Sequence, residues 1–444
     1  MSKQDLTRGR VIIPYGRSAM ALVAAHSLGK KGVEVIGCDS VDLTMLSFSH
    51  YVGAYFTYPD FDRDEAAFVE TMLSWVQHYR PTDSRPYVLM PIFEDNRVLA
   101  KHRDRFAPFI SVSAPAFEAM SHLHPKDAFA RTVKALDVPA PRTWLPENQE
   151  ELAGLAPDLP YPVLIKPYDQ VGGRGIHKVA DSEALLARWH ENLSKYTQKS
   201  LIQETVEGDD YCLTALFDHG TPRATMAYKN VYRFPRETGA GILRETVDDS
   251  RFVEAAVKLM EPLAWNGVAE FDFIWDGKDE TTPALIEVNT RFWGGLFQSV
   301  ESGIDFPWLL YKLTVTGSVE SAGAAVIGTR TKVPYVWLVS AMSEVVQSDA
   351  DFEQIQRRGH EALSTIKDGN ILLGLKEYAA YLADGFAAVF NFRRRAERLR
   401  ETLEIGRSAR NELLNGEDPY VAFGALFVLA SLIRHGELPP EVRY

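Results

Sequence analysis

Cysteine is scarce in this sequence: two occur in 444 residues, Cys38 in VEVIGCD and Cys212 in DYCLTALF. Both sit in apolar, strand-like runs without metal-ligand spacing, which argues against a zinc framework or a disulfide scaffold and reads as buried, reduced thiols in a cytoplasmic protein. Long apolar runs are missing too. The longest, YVAFGALFVLASLI from Tyr420 to Ile433, falls short of the roughly 20 residues a membrane span takes and reads as a buried helix. The first residues, MSKQDLTRGR, are polar and carry no apolar signal-peptide core. Bases are outnumbered, 48 against 60 acids, for a formal charge of −12. A surface of that sign repels a polyphosphate backbone, so general nucleic-acid binding is not expected and any anionic ligand must be held by local groups. Neither a GxxxxGK[ST] loop nor a GxSxG elbow occurs, which excludes the commonest P-loop and serine-hydrolase designs.

What is present is an ordinary globular composition, 46% hydrophobic and 24% charged, over a length that calls for several domains. The first 120 residues alternate β-like runs (Val11–Gly16, Val33–Asp39, Ala54–Pro59, Tyr87–Pro91, Phe109–Ala114) with helical stretches at Ser18–Lys31, Asp64–Tyr79 and from about Glu94. Such alternation predicts a parallel α/β sheet covered by helices. A dinucleotide site is the obvious candidate, but the first turn, PYGRS, has only Gly16. Without GxGxxG the pyrophosphate lacks close backbone approach, and Asp39 then caps or ends a strand.

From Lys126 the texture changes. A helix over Lys126–Leu136 precedes the strand YPVLIKP, a glycine loop, a helix near Ser182–Leu193, strands in SLIQETVEGDDYCLTALFD and TPRATMAYKN, a helix from Ser250 to Ala264, and two last strands, NGVAEFDFIWD and PALIEVNT. Beyond Gly317, KVPYVWLVSA reads as one more strand and the rest as mostly helical. Arg393, Arg394 and Arg395, after an apolar run from Phe386, fit either a solvated face or contact with an anionic membrane surface.

The chemistry is densest in the last two strands. Alternation puts Glu270 and Asp272 on one face of GVAEFDFIW, and Glu287, Asn289 and Arg291 on one face of ALIEVNTR. A hairpin centred between Asp279 and Glu280 sets Asp272 across from Glu287 and Glu270 across from Asn289. Facing like charges destabilise a sheet unless a hard cation lies between them, and two carboxylates with an amide oxygen suit Mg²⁺ or Mn²⁺. Magnesium is usually completed by nucleotide phosphates, which predicts a triphosphate beside this face. In LIKPYDQVGGRGI, Lys166 is fixed on a stiff strand that Pro167 ends, and the loop bearing Gly172, Gly173 and Gly175 offers backbone N–H groups to the same phosphates.

In this order over about 165 residues, Lys126, Lys166-Pro167 with its loop, LIQETVEGDD and the acids ending in EVNTR resemble the ATP-grasp superfamily, in particular its carboxylate-amine ligases such as D-alanine-D-alanine ligase, and biotin carboxylase. The resemblance implies a multidomain α/β and α+β chain. Its parts are an N-terminal α/β domain over 1–122, an ATP-grasp domain over 123–317 with a small lid subdomain at about 140–206 and a central one at about 207–317, and a C-terminal strand-plus-helix extension over 318–444.

The resemblance further implies ATP and Mg²⁺ (or Mn²⁺) as cofactors. Lys126 and Lys166 contact the α and β phosphates in this reading, and Gly172, Gly173 and Gly175 close over them. Gln203 and Glu204 lie at the adenine edge, Val206 gives a backbone hydrogen bond, Asp210 or Glu207 reaches the ribose, and Asp272, Glu287 and Asn289 ligate metal. Lys229 matches the lysine of the γ phosphate, and Arg291, with Arg244, stabilises an oxyanion, although a salt bridge to Glu245 or a neighbour serves Arg244 equally well.

The implied reaction activates a carboxylate as an acylphosphate and joins it to an amine, releasing ADP and phosphate; the partners are these small molecules. A homodimer and peripheral membrane contact by the C-terminal region stay open. Alternatives are a carboxylase using bicarbonate, against which stands the absence of a Met-Lys carrier motif, a non-catalytic ATP-binding module, and a dinucleotide-dependent reductase.

Overall fold

Parallel strands cannot be joined by tight turns, so each return in the N-terminal region goes through a crossover, usually a helix. In the computed structural model, β1 (Arg10–Ile13), β2 (Glu34–Asp39), β3 (Val52–Thr57), β4 (Tyr87–Leu89) and β5 (Ser111–Val112) form a parallel sheet in the order β3-β2-β1-β4-β5. Helix Ala19–Gly29 starts at Ser18, whose Oγ accepts from the Met20 amide at 3.0 Å, and helix Glu65–His78 starts at Asp64, which accepts from Ala67 at 2.9 Å. The structure describes residues 6–170, 175–196, 199–234, 240–334, 336–337, 340–341, 352–367, 370–390, 392–412, 416 and 418–421.

A four-stranded antiparallel sheet follows, made of β6 (Thr143–Trp144), β7 (Val163–Pro167), β8 (His177–Val179) and β9 (Ser200–Glu204) in the order β6-β9-β7-β8. It has a small core of its own, in which Leu152, Val163, Ile165, Leu185, Trp189 and Ile202 are buried together. The largest sheet contains β10 (Asp209–Asp218), β11 (Thr221–Phe234), β12 (Ala240–Val247), β13 (Gly267–Trp275), β14 (Ala284–Asn289), β15 (Arg330–Lys332) and β16 (Arg410–Asn411), in the order β14-β13-β10-β11-β12-β15-β16. One apolar cluster runs from Ile12 and Leu89 of the first sheet and Phe68 of helix Glu65–His78 to Phe217, Phe271 and Phe273 of this one and Phe252 of helix Ser250–Met260. The two layers are thereby fixed against each other.

The chain divides into two compact units, one of residues 1–331 with 411–444 and one of residues 332–410. The second consists mainly of helices Phe352–Lys367, Ile371–Phe390 and Phe392–Arg407. Among the described residues no helix is long and apolar enough to cross a membrane.

One expectation is corrected. Among the described residues of KVPYVWLVSA only Lys332 is strand, closing β15, while 334, 336, 337, 340 and 341 are helical; a dense apolar run does not by itself distinguish strand from buried helix. β12, for which the sequence suggested no element, forms because pairing with β11 outweighs the poor strand propensity of Gly241. Of the apolar run Tyr420–Ile433 only residues 420 and 421 lie within the described part; Val421 is buried and Tyr420 exposed.

Phe271 is fully buried where the sheets share their core. Phe271→Ala should therefore lower unfolding stability by about 3–5 kcal/mol in a denaturant titration, the usual cost of an aromatic cavity.

Candidate functional site

The β13/β14 hairpin adopts the register that alternation predicts, with Glu270 opposite Asn289 and Asp272 opposite Glu287; a shift follows between Asp272 and Phe273. The acids stand on one face in close company. Tyr228 on β11 donates its hydroxyl to Glu270 Oε1 at 2.6 Å, and the Asn289 amide spans Glu270 Oε2 at 3.2 Å and Asp272 Oδ2 at 3.1 Å. Cys212 on β10 donates its thiol to Asp272 Oδ1 at 3.2 Å. Burial drives the Asp272 carboxyl well above the ordinary aspartate range, and the charges of Glu270 and Glu287 push it further. Glu270 is raised by burial as well, against Tyr228, Arg291 and Arg244. For Glu287 burial also acts upward, but the ammonium groups of Lys126 and Lys166 outweigh it and hold the carboxyl below its usual value.

Carboxylates crowded and desolvated in this way suit a divalent cation. Cys212, Glu270 and Asp272 bring ligand atoms within 4.8 Å of one another, and the donor set around Asn289 is mainly hard oxygen. Rotating the Asn289 amide by half a turn exchanges its nitrogen and oxygen without moving the side chain, so it can serve either hydrogen bonds or a cation. The residues present fit magnesium or manganese.

Cations face this cluster from a different wall. Lys126 opens helix Lys126–Ala135 behind Pro125; its Nζ donates to the Gln170 carbonyl at 2.6 Å and pairs with Glu287 Oε1 at 3.1 Å. Lys166 on β7 is only 8% exposed and donates to Gln203 Oε1 at 2.7 Å, while Gln203 Nε2 donates to Thr143 Oγ1 at 3.0 Å. Lys166 lies opposite Leu201, so Gln203 is its diagonal neighbour on the same sheet face. Burial lowers the Lys166 pKa to about 8, with Glu287 opposing and Lys126 reinforcing the shift.

Arg291 closes the far side. Its guanidinium lies 4.2 Å above the Phe93 ring, Nε donates to Glu94 Oε1 at 3.2 Å, and Nη1 donates to the Phe292 carbonyl at 2.9 Å. Phe93 stacks on Tyr15 at 4.9 Å, and Asp95, fully buried, ties the turn by accepting from the Phe93 amide at 2.7 Å. Asn96 donates to the Thr290 carbonyl, and its own buried Oδ1 has no hydrogen-bond partner.

A single cleft is lined by Lys126, Lys166, Gln203, Glu287, Asn289 and Arg291, together with Phe93, Glu94 and Asn96 from the N-terminal sheet's turn. Asp272 joins it through Asn289. The other candidates are not among its lining residues. Glu204 pairs with Arg142 at 2.6 Å, Asp210 pairs with Arg233, Lys229 pairs with Asp209, and Val206 and Glu207 are exposed. Arg244 is buried against Glu412 at 2.8 Å.

Gly175 has φ +70°, and a Cβ there would strike Tyr196 and Pro167 at 2.6 and 2.7 Å, so this end of the loop requires glycine. Gly172 and Gly173 lie outside the described residues. Sequence reasoning left Glu270 out of the ligand set although alternation had already placed it there. It missed Tyr228, Cys212, Glu94 and Asn96 altogether. Strand order carries Tyr228 and Cys212 to the acids, through the Cys212–Asp272 and Cys212–Tyr228 pairings, and no local pattern encodes that order.

A family model described as "ATP-grasp in the biosynthetic pathway with Ter operon" matches residues 197–336, and one described as "Carbamoyl-phosphate synthase L chain, ATP binding domain" matches residues 125–208. The chain is 25% identical over 187 residues to the carbamoyl phosphate synthase large chain, C-terminal section, of Methanopyrus kandleri, covering 39% of this chain and 33% of that one. It is 25% identical over 170 residues to a D-alanine–D-alanine ligase of Ectopseudomonas mendocina, covering 35% of this chain and 51% of the relative. The chain thus spans about a third and about half of the length of these two curated relatives. In fold it is similar to the crystal structure of a biotin carboxylase-β,γ-ATP complex from Campylobacter jejuni, with TM-score 0.58 and 16% identity over 73% of this chain and 75% of that one.

Loss of the Lys166 proton removes a positive charge from the cleft. Affinity for an anionic probe such as tripolyphosphate should therefore fall as pH rises through about 8. Lys166→Arg, which keeps its charge, should flatten that profile in isothermal titration calorimetry.

Proposed function

The chain belongs to the ATP-grasp superfamily, and from that premise we propose that it is an ATP-dependent ligase that activates a small-molecule carboxylate as an acylphosphate and joins it to an amine. The carrying observation is the cleft in which Lys126 and Lys166 face Glu287, Asn289 and, behind them, Asp272. Opposite charges across a polar opening suit a metal-bound polyphosphate, whose oxygens take the lysines while its cation takes the acids. Neither half of the cleft suits a neutral ligand.

Asp272, Glu287 and Asn289, with Glu270 beside them, would hold magnesium, which supplies charge neutralisation at the transferring phosphoryl group. Lys126 and Lys166 bind and orient the phosphates, and Gln203 keeps the Lys166 ammonium directed along its strand face. Burial of Lys166 and Glu270 strengthens their contacts by excluding water, which also protects an acylphosphate from hydrolysis. Arg291, steadied by Phe93 and Glu94, is the cation best placed for an oxyanion that develops on the substrate carbonyl.

We give Lys229 and Arg244 no direct contact, because Lys229 is engaged by Asp209 and Arg244 by Glu412. The glycine loop from Gly172 to Gly175 is proposed as cover for the phosphates. Two free, buried thiols support a cytoplasmic setting.

The test is ADP release from Mg-ATP with a panel of small carboxylates and amines. Glu287→Gln and Asp272→Asn should each lower turnover by about 10²–10³-fold, the scale for loss of a principal electrostatic contact. Unchanged turnover in both variants would refute the assignment.

A further inference from the structure

One buried ion pair beside the cleft is made by a segment far away in sequence. Arg244 on β12 and Glu412, one residue past β16, are 5% and 2% exposed and meet at 2.8 Å between Nη1 and Oε1. Thr331 Oγ1 donates to the same Glu412 oxygen at 3.1 Å. On its other side the Arg244 guanidinium lies 6.0 Å from the Tyr228 ring centroid, and the Tyr228 hydroxyl is the donor to Glu270 at 2.6 Å. Gly294 lies against the guanidinium, since a Cβ there would meet Arg244 Nη2 at 3.4 Å. Arg244 therefore stands between two carboxylates, Glu412 in direct contact and Glu270 beyond Tyr228.

We infer that Glu412 is a positioning residue that holds Arg244 away from Glu270, keeping the charge of the acid cluster available for a divalent cation. This inference rests on the ATP-and-magnesium reading above. A guanidinium does not deprotonate in a protein, and a buried one must be paired. With Glu412 neutral, the carboxylate that still acts on Arg244 is Glu270, which Asn289 links to Asp272. An arginine turned toward them competes with the metal for the same oxygens. The C-terminal return of the chain thereby sets the affinity of a site built entirely from other strands.

The experiment compares Mn²⁺ uptake, with and without ADP, by electron paramagnetic resonance for the full chain, Glu412→Gln, and the double variant Glu412→Met with Arg244→Met. Glu412→Gln should bind Mn²⁺ about tenfold or more weakly, the scale of one charge brought close in a partly buried site. The double variant, in which the competing cation is gone, should return to within about twofold of the unaltered chain.

Equal Mn²⁺ affinity in Glu412→Gln, or a double variant that folds and stays weak, overturns the inference; a merely structural loss would not be reversed by a second deletion. If Glu412→Gln does not fold, the double variant alone decides, with affinity near that of the unaltered chain supporting the inference and weak binding overturning it. An unaltered chain that takes up neither Mn²⁺ nor Mn-ADP removes the reading on which the inference rests, and the inference with it.

Discussion

Three carboxylates pressed together in a desolvated sheet face are the constraint around which this molecule is organised. Glu270, Asp272 and Glu287 cannot all carry charge in close company without compensation, and the surrounding structure supplies it in parts. Tyr228 and Cys212 donate from neighbouring strands, Asn289 bridges two of the acids, and Lys126 reaches Glu287 from another element. These neighbours leave Asp272 raised far above its normal range, so the cluster as it stands lacks positive charge.

The fold serves to hold opposing walls at that spot. A core shared between the parallel sheet and the largest antiparallel sheet fixes the turn carrying Phe93, Glu94 and Asn96 against the end of β14. The four-stranded sheet has a separate, smaller core and carries Lys166 and Gln203 on one face. Cations are delivered by one layer, acids by another and an arginine by the chain just beyond the acid strand. Each layer is stabilised by its own burial, so the polar cleft does not have to provide the cohesion.

Much of this was legible because it depends on strand alternation, which is local. The period of two in GVAEFDFIW and ALIEVNTR sufficed to place Asp272 opposite Glu287 and Glu270 opposite Asn289, and the hairpin adopts that register. The same rule set Lys166 on the polar face of VLIKP. Illegible were contacts that depend on the order of strands or on distant returns of the chain. Tyr228 and Cys212 reach the acids only because β10 lies between β11 and β13, and Glu412 reaches Arg244 across 168 positions. Glu204 and Asp210, singled out through resemblance, are engaged by Arg142 and Arg233, whose positions no motif encodes. β12 escaped notice because Gly241 weakens the local signal that pairing with β11 overrides.

The most direct test is a crystal of the protein grown with Mn²⁺ and a non-hydrolysable ATP analogue, with data collected at the manganese edge. The account predicts an anomalous peak bounded by the side chains of Asp272, Glu287 and Asn289, with phosphate density between it and Lys166. A bound nucleotide whose manganese peak lies away from those three side chains, or a cleft that stays empty under saturating nucleotide and manganese, would contradict it.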